Sequence, residues 1–268
     1  MSGRFHKMHG LGNDFVVIDA RVDRLMVSPG RARAIADRRT GIGCDQLIVL
    51  EASPDADARM RIWNPDGSEA EACGNAFRAA AVLLGEAVLD TRGGRVAIGR
   101  AAAGATAELG PPSFDWAAIP LAYALDTASL PIGWDGLANP AAVNVGNPHL
   151  VFFVANQTTV DLETLGPAIE HDALFPERIN VNVATITGRS SLSLRTWERG
   201  AGLTRACGTG ATATAVVAIR ARLVTAPVTV AMAGGELCID WSPGGGIRMT
   251  GPATHVYSGE IDWDQFPA

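Results

Sequence analysis

An internal repeat, spaced at half the chain's 268 residues, constrains this sequence most. Arg61-Ile-Trp63, followed by Ala72-Cys73-Gly74, recurs without a gap 134 residues on as Arg195-Thr-Trp197 and Ala206-Cys207-Gly208. Over residues 61–82 against 195–216, 8 of 22 positions are identical, where chance in an Ala-rich chain gives about two. The same offset sets Gly12-Asn13 against Gly146-Asn147, and Gln46 against Asn180. Such self-similarity predicts two equivalent halves. Each half supplies one Gly-Asn, one amide and one Ala-Cys-Gly to a shared pseudo-twofold cleft.

Local patterning agrees with this division. Phe15–Ile18, Leu47–Leu50, Met60–Trp63 and Arg95–Ile98 read as short strands bounded by turn residues, and so do Leu150–Val154, Ile179–Ile186, Ser193–Trp197, Val228–Val230 and Gly246–Thr250. A helix is expected after each Ala-Cys-Gly, over Ala76–Val88 and Ala211–Leu223. The first carries Phe77, Val82, Leu83, Leu84 and Val88 on nearly every side, and the second Val216, Val217, Ile219 and Leu223. A helix apolar all round is buried, which in a strand-rich chain means a sheet curled about it. The expected class is α+β: two pseudo-symmetric domains, each a curved, mainly antiparallel sheet or barrel around a central helix. Gly110–Pro120, rich in Pro and Ala, is the expected boundary, giving halves of residues 1–115 and 116–255.

Composition excludes several functions. The net charge is −6 with no basic run, so neither nucleic acid nor an anionic membrane surface is an expected partner. Lys7 is the only lysine, which argues against pyridoxal phosphate, held by enzymes as a Schiff base on Lys. No CxxC, HExxH or GxxxxGK[ST] occurs, so neither a metal nor a nucleotide cofactor is expected. The N-terminus lacks the apolar core of a signal peptide, and the longest apolar runs, Ala79–Leu84 and Ala213–Ile219, are far too short to span a bilayer. A cytoplasmic protein is expected.

The paired cysteines carry the chemistry. Each precedes a predicted helix, as Cys73-Gly74-Asn75 and Cys207-Gly208-Thr209. A helix start bears unsatisfied N–H groups and about half a positive charge. It lowers a thiol's pKa, and the N–H groups of Gly74, Asn75, Gly208 and Thr209 can hold a carboxylate. With two such sites across a cleft, one sulfur, as thiolate, removes the α-proton of a bound amino acid. The other, as thiol, protonates the opposite face. This two-base racemisation or epimerisation needs no cofactor, and its symmetry follows from reversibility. Cys44 and Cys238 lack the helix-start motif and read as small buried apolar residues; His6, His9, His171 and His255 read as structural. A single-nucleophile cysteine hydrolase would not need a matched pair, and a thiol–disulfide redox protein would carry CxxC.

In Met8-His9-Gly10-Leu11-Gly12-Asn13-Asp14-Phe15, Trp63-Asn64-Pro65-Asp66-Gly67-Ser68, Ala72-Cys73-Gly74-Asn75, Gly146-Asn147-Pro148-His149, Phe175-Pro176-Glu177-Arg178-Ile179-Asn180-Val181 and Glu198-Arg199-Gly200-Ala201-Gly202 running into Ala206-Cys207-Gly208-Thr209-Gly210, the sequence resembles the diaminopimelate epimerase family. That resemblance spans nearly the whole chain. It implies conversion of LL- to meso-diaminopimelate in lysine and peptidoglycan biosynthesis, and a C-terminal strand, residues 256–268, returning to the first domain. Carried over, Cys73 and Cys207 resemble the base and acid pair, and His149 and Glu198 the polar pair that orients the reacting centre and helps Cys deprotonation. Asn13, Gln46, Asn64, Asn147, Asn180 and Arg199 resemble the substrate-binding set. Arg199 suits the distal carboxylate, which it can clamp at two points, and asparagines suit both head groups. The small-molecule substrate is the implied partner, and the resemblance admits a homodimer. Ala76 and Phe77 depart from the family pattern, which commonly has Gly after Cys-Gly-Asn, and so does Leu203, where Glu is frequent. Two other readings are weighed. One is a racemase of another amino acid, such as proline, hydroxyproline or histidine; a pocket for proline would not need Arg199 with Asn64 and Asn180. The other is a relative of the phenazine-biosynthesis type, which lacks the paired cysteines and against which the presence of both Cys73 and Cys207 argues.

Overall fold

A computed structural model describes residues 2–266. Contacts divide the chain into two compact units, residues 1–107 with 250–268, and residues 108–249. The sequence expectation drew these joins at 115/116 and 255/256.

Unit 1 runs β1 (Ser2–Gly10), β2 (Asn13–Ala20), α1 (Pro29–Ala36), β3 (Gln46–Glu51), β4 (Ala58–Trp63), β5 (Glu69–Ala70), α2 (Gly74–Leu84), β6 (Ala87–Thr91), β7 (Gly94–Ala101) and into β8 (Gly104–Leu109). In unit 2, a two-strand hairpin of β9 (Gly133–Trp134) and β10 (Leu137–Ala138) precedes β11 (Ala141–Asn144), β12 (Pro148–Phe153), α3 (Leu162–Glu170), β13 (Asn180–Gly188), β14 (Ser191–Glu198), β15 (Gly202–Thr204), α4 (Gly208–Arg220), β16 (Val228–Met232), β17 (Gly235–Trp241) and β18 (Ile247–Gly251). β19 (Thr254–Asp262) pairs antiparallel with β1. Of the expected returning strand, residues 267 and 268 lie outside the described residues.

The repeat extends to strand register. β2–β3 is parallel with Phe15 opposite Gln46, and β12–β13 is parallel with His149 opposite Asn180. β3–β4 is antiparallel with Leu47 opposite Trp63, and β13–β14 pairs Val181 with Trp197. β4–β5 pairs Trp63 with Glu69, and β14–β15 pairs Trp197 with Leu203. Every partner is displaced by the same 134 residues. The parallel steps β4–β6 and β14–β16, and the hairpins β6–β7 and β16–β17, complete the correspondence.

Alternation along these strands separates two apolar layers. Val16, Ile18, Leu47 and Val49 join a core with Ala32, Ile35 and Ala36 of α1. Their counterparts Leu150, Phe152, Val181 and Val183 join Leu162 and Ile169 of α3. The intervening residues face the other way, in unit 2 toward the second helix, α4, which packs on these strands. α4 packs on β11, β12, β13, β14, β16 and β17, so the sheet of unit 2 wraps it, and every residue from Gly208 to Ala218 is buried. α2 packs on β1, β7 and β19, with Gly74 to Ala81 all buried.

Both central helices start earlier than the apolar pattern indicated, at Gly74 and Gly208, directly after the cysteines. They also end earlier. Gly85, at φ +80°, terminates α2, and Val88, expected on the helix, lies exposed in β6. The buried surface of α2 is therefore mostly alanine, with Phe77 its one large apolar side chain.

Candidate active site

Each Gly-Asn closes a turn that presents the asparagine. Leu11 and Gly12, at φ 57° and 89°, form the two-residue loop between β1 and β2, whose last paired residues are Gly10 and Asn13. Positive φ at both loop residues suits the twist of a hairpin. Gly146, at φ 107°, precedes Asn147 at the entry to β12.

In unit 1, Cys73 is the half-buried N-cap of α2. Asn13 Oδ1 accepts from Asn75 Nδ2 at 3.2 Å and lies 3.8 Å from Cys73 Sγ. Asn13 Nδ2 donates to Asp45 at 3.2 Å. Behind Asn75, the fully buried Arg78 donates to Asn75 Oδ1 at 2.6 Å and to the Gly74 carbonyl at 3.1 Å. Burial pulls its guanidinium down to about 10, so it keeps its charge at neutral pH. Gln46 Nε2 donates to Asn64 Oδ1 at 3.0 Å. Gln46 Oε1 is a buried acceptor without a hydrogen-bond partner among the described residues.

Unit 2 repeats this frame with different chemistry. Cys207, the N-cap of α4, is buried, and its sulfur accepts from Gly210 N at 3.3 Å. Glu198 Oε2 lies 3.0 Å from Cys207 Sγ, while Glu198 Oε1 accepts from Thr204 at 2.5 Å. Asn147 Nδ2 donates to Thr209 Oγ1 at 3.3 Å, and Thr209 Oγ1 is 3.5 Å from the sulfur. His149 Nε2 is 2.8 Å from Asn147 Oδ1, and the ring is fully buried. Burial first, and the charge of Arg199 second, push its pKa down to about 3, so the imidazole is neutral. Asn180 Nδ2 donates to the Pro148 carbonyl and its Oδ1 accepts from Arg199 N at 2.9 Å. The Arg199 guanidinium meets the Glu177 carbonyl at 3.0 Å.

One expectation is overturned at Cys207. A helix start alone predicts a lowered thiol pKa, yet this thiol is pushed well above its ordinary value, by burial first and by the Glu198 carboxylate second. Gly210 N–H and the Thr209 hydroxyl act the other way and lose. Burial also pushes the Cys44 thiol up to about 12.

The candidate residues thus gather into two groups: Asn13, Cys73, Gly74 and Asn75 with Gln46–Asn64 in unit 1, and Asn147, His149, Glu198, Cys207, Gly208 and Thr209 with Asn180–Arg199 in unit 2. Sequence reasoning missed Asn182, Thr196, Thr204 and Arg78. Arg78 and Thr212 are repeat partners that both bond the carbonyl following the cysteine, at Gly74 and Gly208; extending the repeat past the motif could have found them. Glu170 was also missed. It anchors the loop after β14, accepting from Trp197 Nε1 at 2.8 Å and Gly200 N at 3.0 Å. Among the described residues, no three His, Cys, Asp or Glu gather as a metal site, and no helix is long and apolar enough to cross a membrane.

Solved structures share the fold. A PhzF-family phenazine biosynthesis protein from Enterococcus faecalis superimposes with TM-score 0.69 at 15% identity, over 98% of this chain and 100% of that one. A hydroxyproline epimerase from Agrobacterium vitis gives TM-score 0.66 at 13% identity, over 97% and 92%. At the sequence level, a diaminopimelate epimerase of Sphingopyxis alaskensis is 61% identical over 99% of this chain and 100% of its own length. One from Erythrobacter litoralis is 58% identical over 98% of each. The family model described as diaminopimelate epimerase matches residues 5–114 and 141–256, which take in both cysteine-led helix starts, and the chain belongs to that family.

Proposed function

We propose that this protein is an isomerase that interconverts LL- and meso-diaminopimelate with two cysteines and no cofactor. The observation that carries the reading is the repeated Asn–Cys–helix frame, held in identical strand register in both units, with Glu198 Oε2 3.0 Å from Cys207 Sγ in one of them. A stereoinversion at one α-carbon needs a proton acceptor for one face and a proton donor for the other, and each unit offers one thiol for one face. Cys73, as thiolate, removes the α-proton of the LL isomer. Cys207, which holds its proton, delivers it to the opposite face, and Glu198 exchanges that proton with the sulfur. The reverse reaction exchanges the roles of the two sulfurs. Backbone N–H groups at Gly74, Asn75, Gly208 and Thr209 hold the reacting carboxylate and stabilise the charge that builds on it.

The distal amino-acid head is the part of the substrate that distinguishes diaminopimelate from proline or hydroxyproline. Arg199 clamps its carboxylate, and Gln46, Asn64 and Asn180 supply amide donors and acceptors, including the unsatisfied Gln46 Oε1. This reading places the reaction in lysine and peptidoglycan-precursor synthesis, in the cytoplasm, with a homodimer as the assembly and no nucleic acid or membrane partner.

The test is purified protein with LL-diaminopimelate in D2O without pyridoxal phosphate. Meso product with one α-deuterium per turnover is expected. Deuterium exchange into proline or hydroxyproline but not diaminopimelate would move the chain to the other racemase reading, and no exchange into any of them would refute it.

A further inference from the structure

Behind Cys207 lies a polar chain whose inner part, Thr196, Asn182 and His149, is replaced by apolar side chains at the equivalent positions of unit 1. Thr196 Oγ1 donates to Asn182 Oδ1 at 3.0 Å, and Asn182 Nδ2 donates to the Leu150 carbonyl at 3.0 Å. These two bonds fix which end of the amide faces His149: the nitrogen does, 3.1 Å from His149 Nδ1. An amide nitrogen only donates, so Nδ1 is a bare acceptor and the ring hydrogen sits on Nε2. From there it is donated to Asn147 Oδ1 at 2.8 Å. Asn147 Nδ2 donates in turn to Thr209 Oγ1, which leaves the Thr209 hydroxyl hydrogen for Cys207 Sγ. Every bond in the chain then runs in one direction, from Thr196 to the sulfur.

The repeat shows that the fold does not require these polar groups. The repeat partners of His149, Asn182 and Thr196, 134 residues earlier and at equivalent strand positions, are Phe15, Ile48 and Ile62, all buried and apolar. Burying three polar side chains where apolar ones serve is costly unless each is hydrogen-bonded, and here each is. Helix α4 is shaped to admit them. An added Cβ at Gly210 would sit 2.6 Å from Asn182 Oδ1 and 2.8 Å from Thr196 Oγ1, whereas the partner position on α2 is Ala76, fully buried.

The geometry points to Asn182 as a positioning residue that, held by Thr196, locks His149 as its neutral Nε2–H tautomer and so orients the hydrogen bonds that reach Cys207. This rests on the reading that Cys207 and His149 serve the proposed epimerisation. A partner that fixes the tautomer of a functional histidine acts through that ring without touching substrate.

Nitrogen-15 correlation spectra of enzyme labelled in its histidine rings test this, with His149→Gln assigning the signal. In the wild type at neutral pH, Nε2 should be protonated and Nδ1 bare. Asn182→Asp replaces the donor with an acceptor, so the hydrogen should move to Nδ1. The kcat for diaminopimelate should then fall about tenfold or more, with KM little changed. Should that variant not fold, Thr196→Val keeps the volume and loosens the amide, and should lower kcat to a smaller extent with the wild-type tautomer weakened. A wild-type ring protonated on Nδ1 overturns the proposal, and so does full kcat in an Asn182→Asp enzyme whose ring hydrogen has moved. If the wild type does not epimerise diaminopimelate at all, the functional reading fails while the spectra still decide the tautomer lock.

Discussion

At the scale of single residues, the chemistry depends on where burial and charge leave each proton. Cys207 is a thiol because burial, and then Glu198, oppose its ionisation. Glu198→Gln removes the negative charge and keeps the shape, so Cys207 should ionise at lower pH than in the wild type. Thiolate ultraviolet absorbance, taken as the difference from Cys207→Ser, measures this, and an unmoved or raised midpoint would contradict the assignment. The same substitution should lower kcat, because an amide cannot exchange a proton with the sulfur. His149 makes the opposite kind of prediction, one about stability. Its folded pKa, about 3, lies below the unfolded value of 6.5. The unfolded chain therefore binds the extra proton between those limits. Stability is full above pH 6.5 and falls as pH drops toward 3, by up to about 1.4 kcal/mol per pH unit. Urea unfolding of His149→Gln should show a shallower decline over that window than the wild type.

At the scale of elements, the two helix starts are alike in backbone and unlike in what stands behind them, so mirrored substitutions should differ. Gly210→Ala drives a methyl group into Asn182 and Thr196 and should cost about 1–3 kcal/mol, the usual range for overpacking, together with most of the activity. Ala76→Gly opens space among apolar side chains and should cost about 1 kcal/mol, the helix-interior penalty of glycine, with activity largely kept. Equal losses from the two would mean that the polar chain behind α4 has no special role. The sequence carried the repeat, the strands that bear it and the cysteine-led helices, because these depend on local pattern and identity at one offset. It did not carry α1 or α3. Both are short, α3 contains Pro167, and the cues that start them, Ser28 before Pro29 and Asp161 at the cap of α3, are single residues. Val88 extended the apolar run beyond the true helix end, although Gly85 was the available stop signal. Asn182 and Thr196 were illegible for another reason. Each looks like an ordinary strand residue, and their meaning arises only when β12, β13 and β14 bring three strands into register.

At the scale of the whole molecule, two units of one architecture each contribute one thiol, and the proposed reaction requires both. In that proposed reaction either cysteine alone would suffice to remove an α-proton, but inversion would need a second proton carrier. Cys73→Ala and Cys207→Ala should therefore each abolish epimerisation. Unfolding free energy should stay near that of the wild type for the half-buried Cys73. It should fall by about 0.5–2 kcal/mol for Cys207, whose buried sulfur caps α4 by accepting from Gly210 N. Their residual chemistry should differ in hand. With a substrate carrying a leaving group on the β-carbon, deprotonation alone suffices for elimination. Cys207→Ala should then eliminate only from the isomer that Cys73 deprotonates, and Cys73→Ala only from its mirror image at the α-carbon. Chiral chromatography of unreacted substrate reads this directly. Elimination from both isomers by one variant, or residual epimerisation in both, would mean that a single group serves both faces, and the duplication of the Ala-Cys-Gly frame would then need an explanation other than proton transfer.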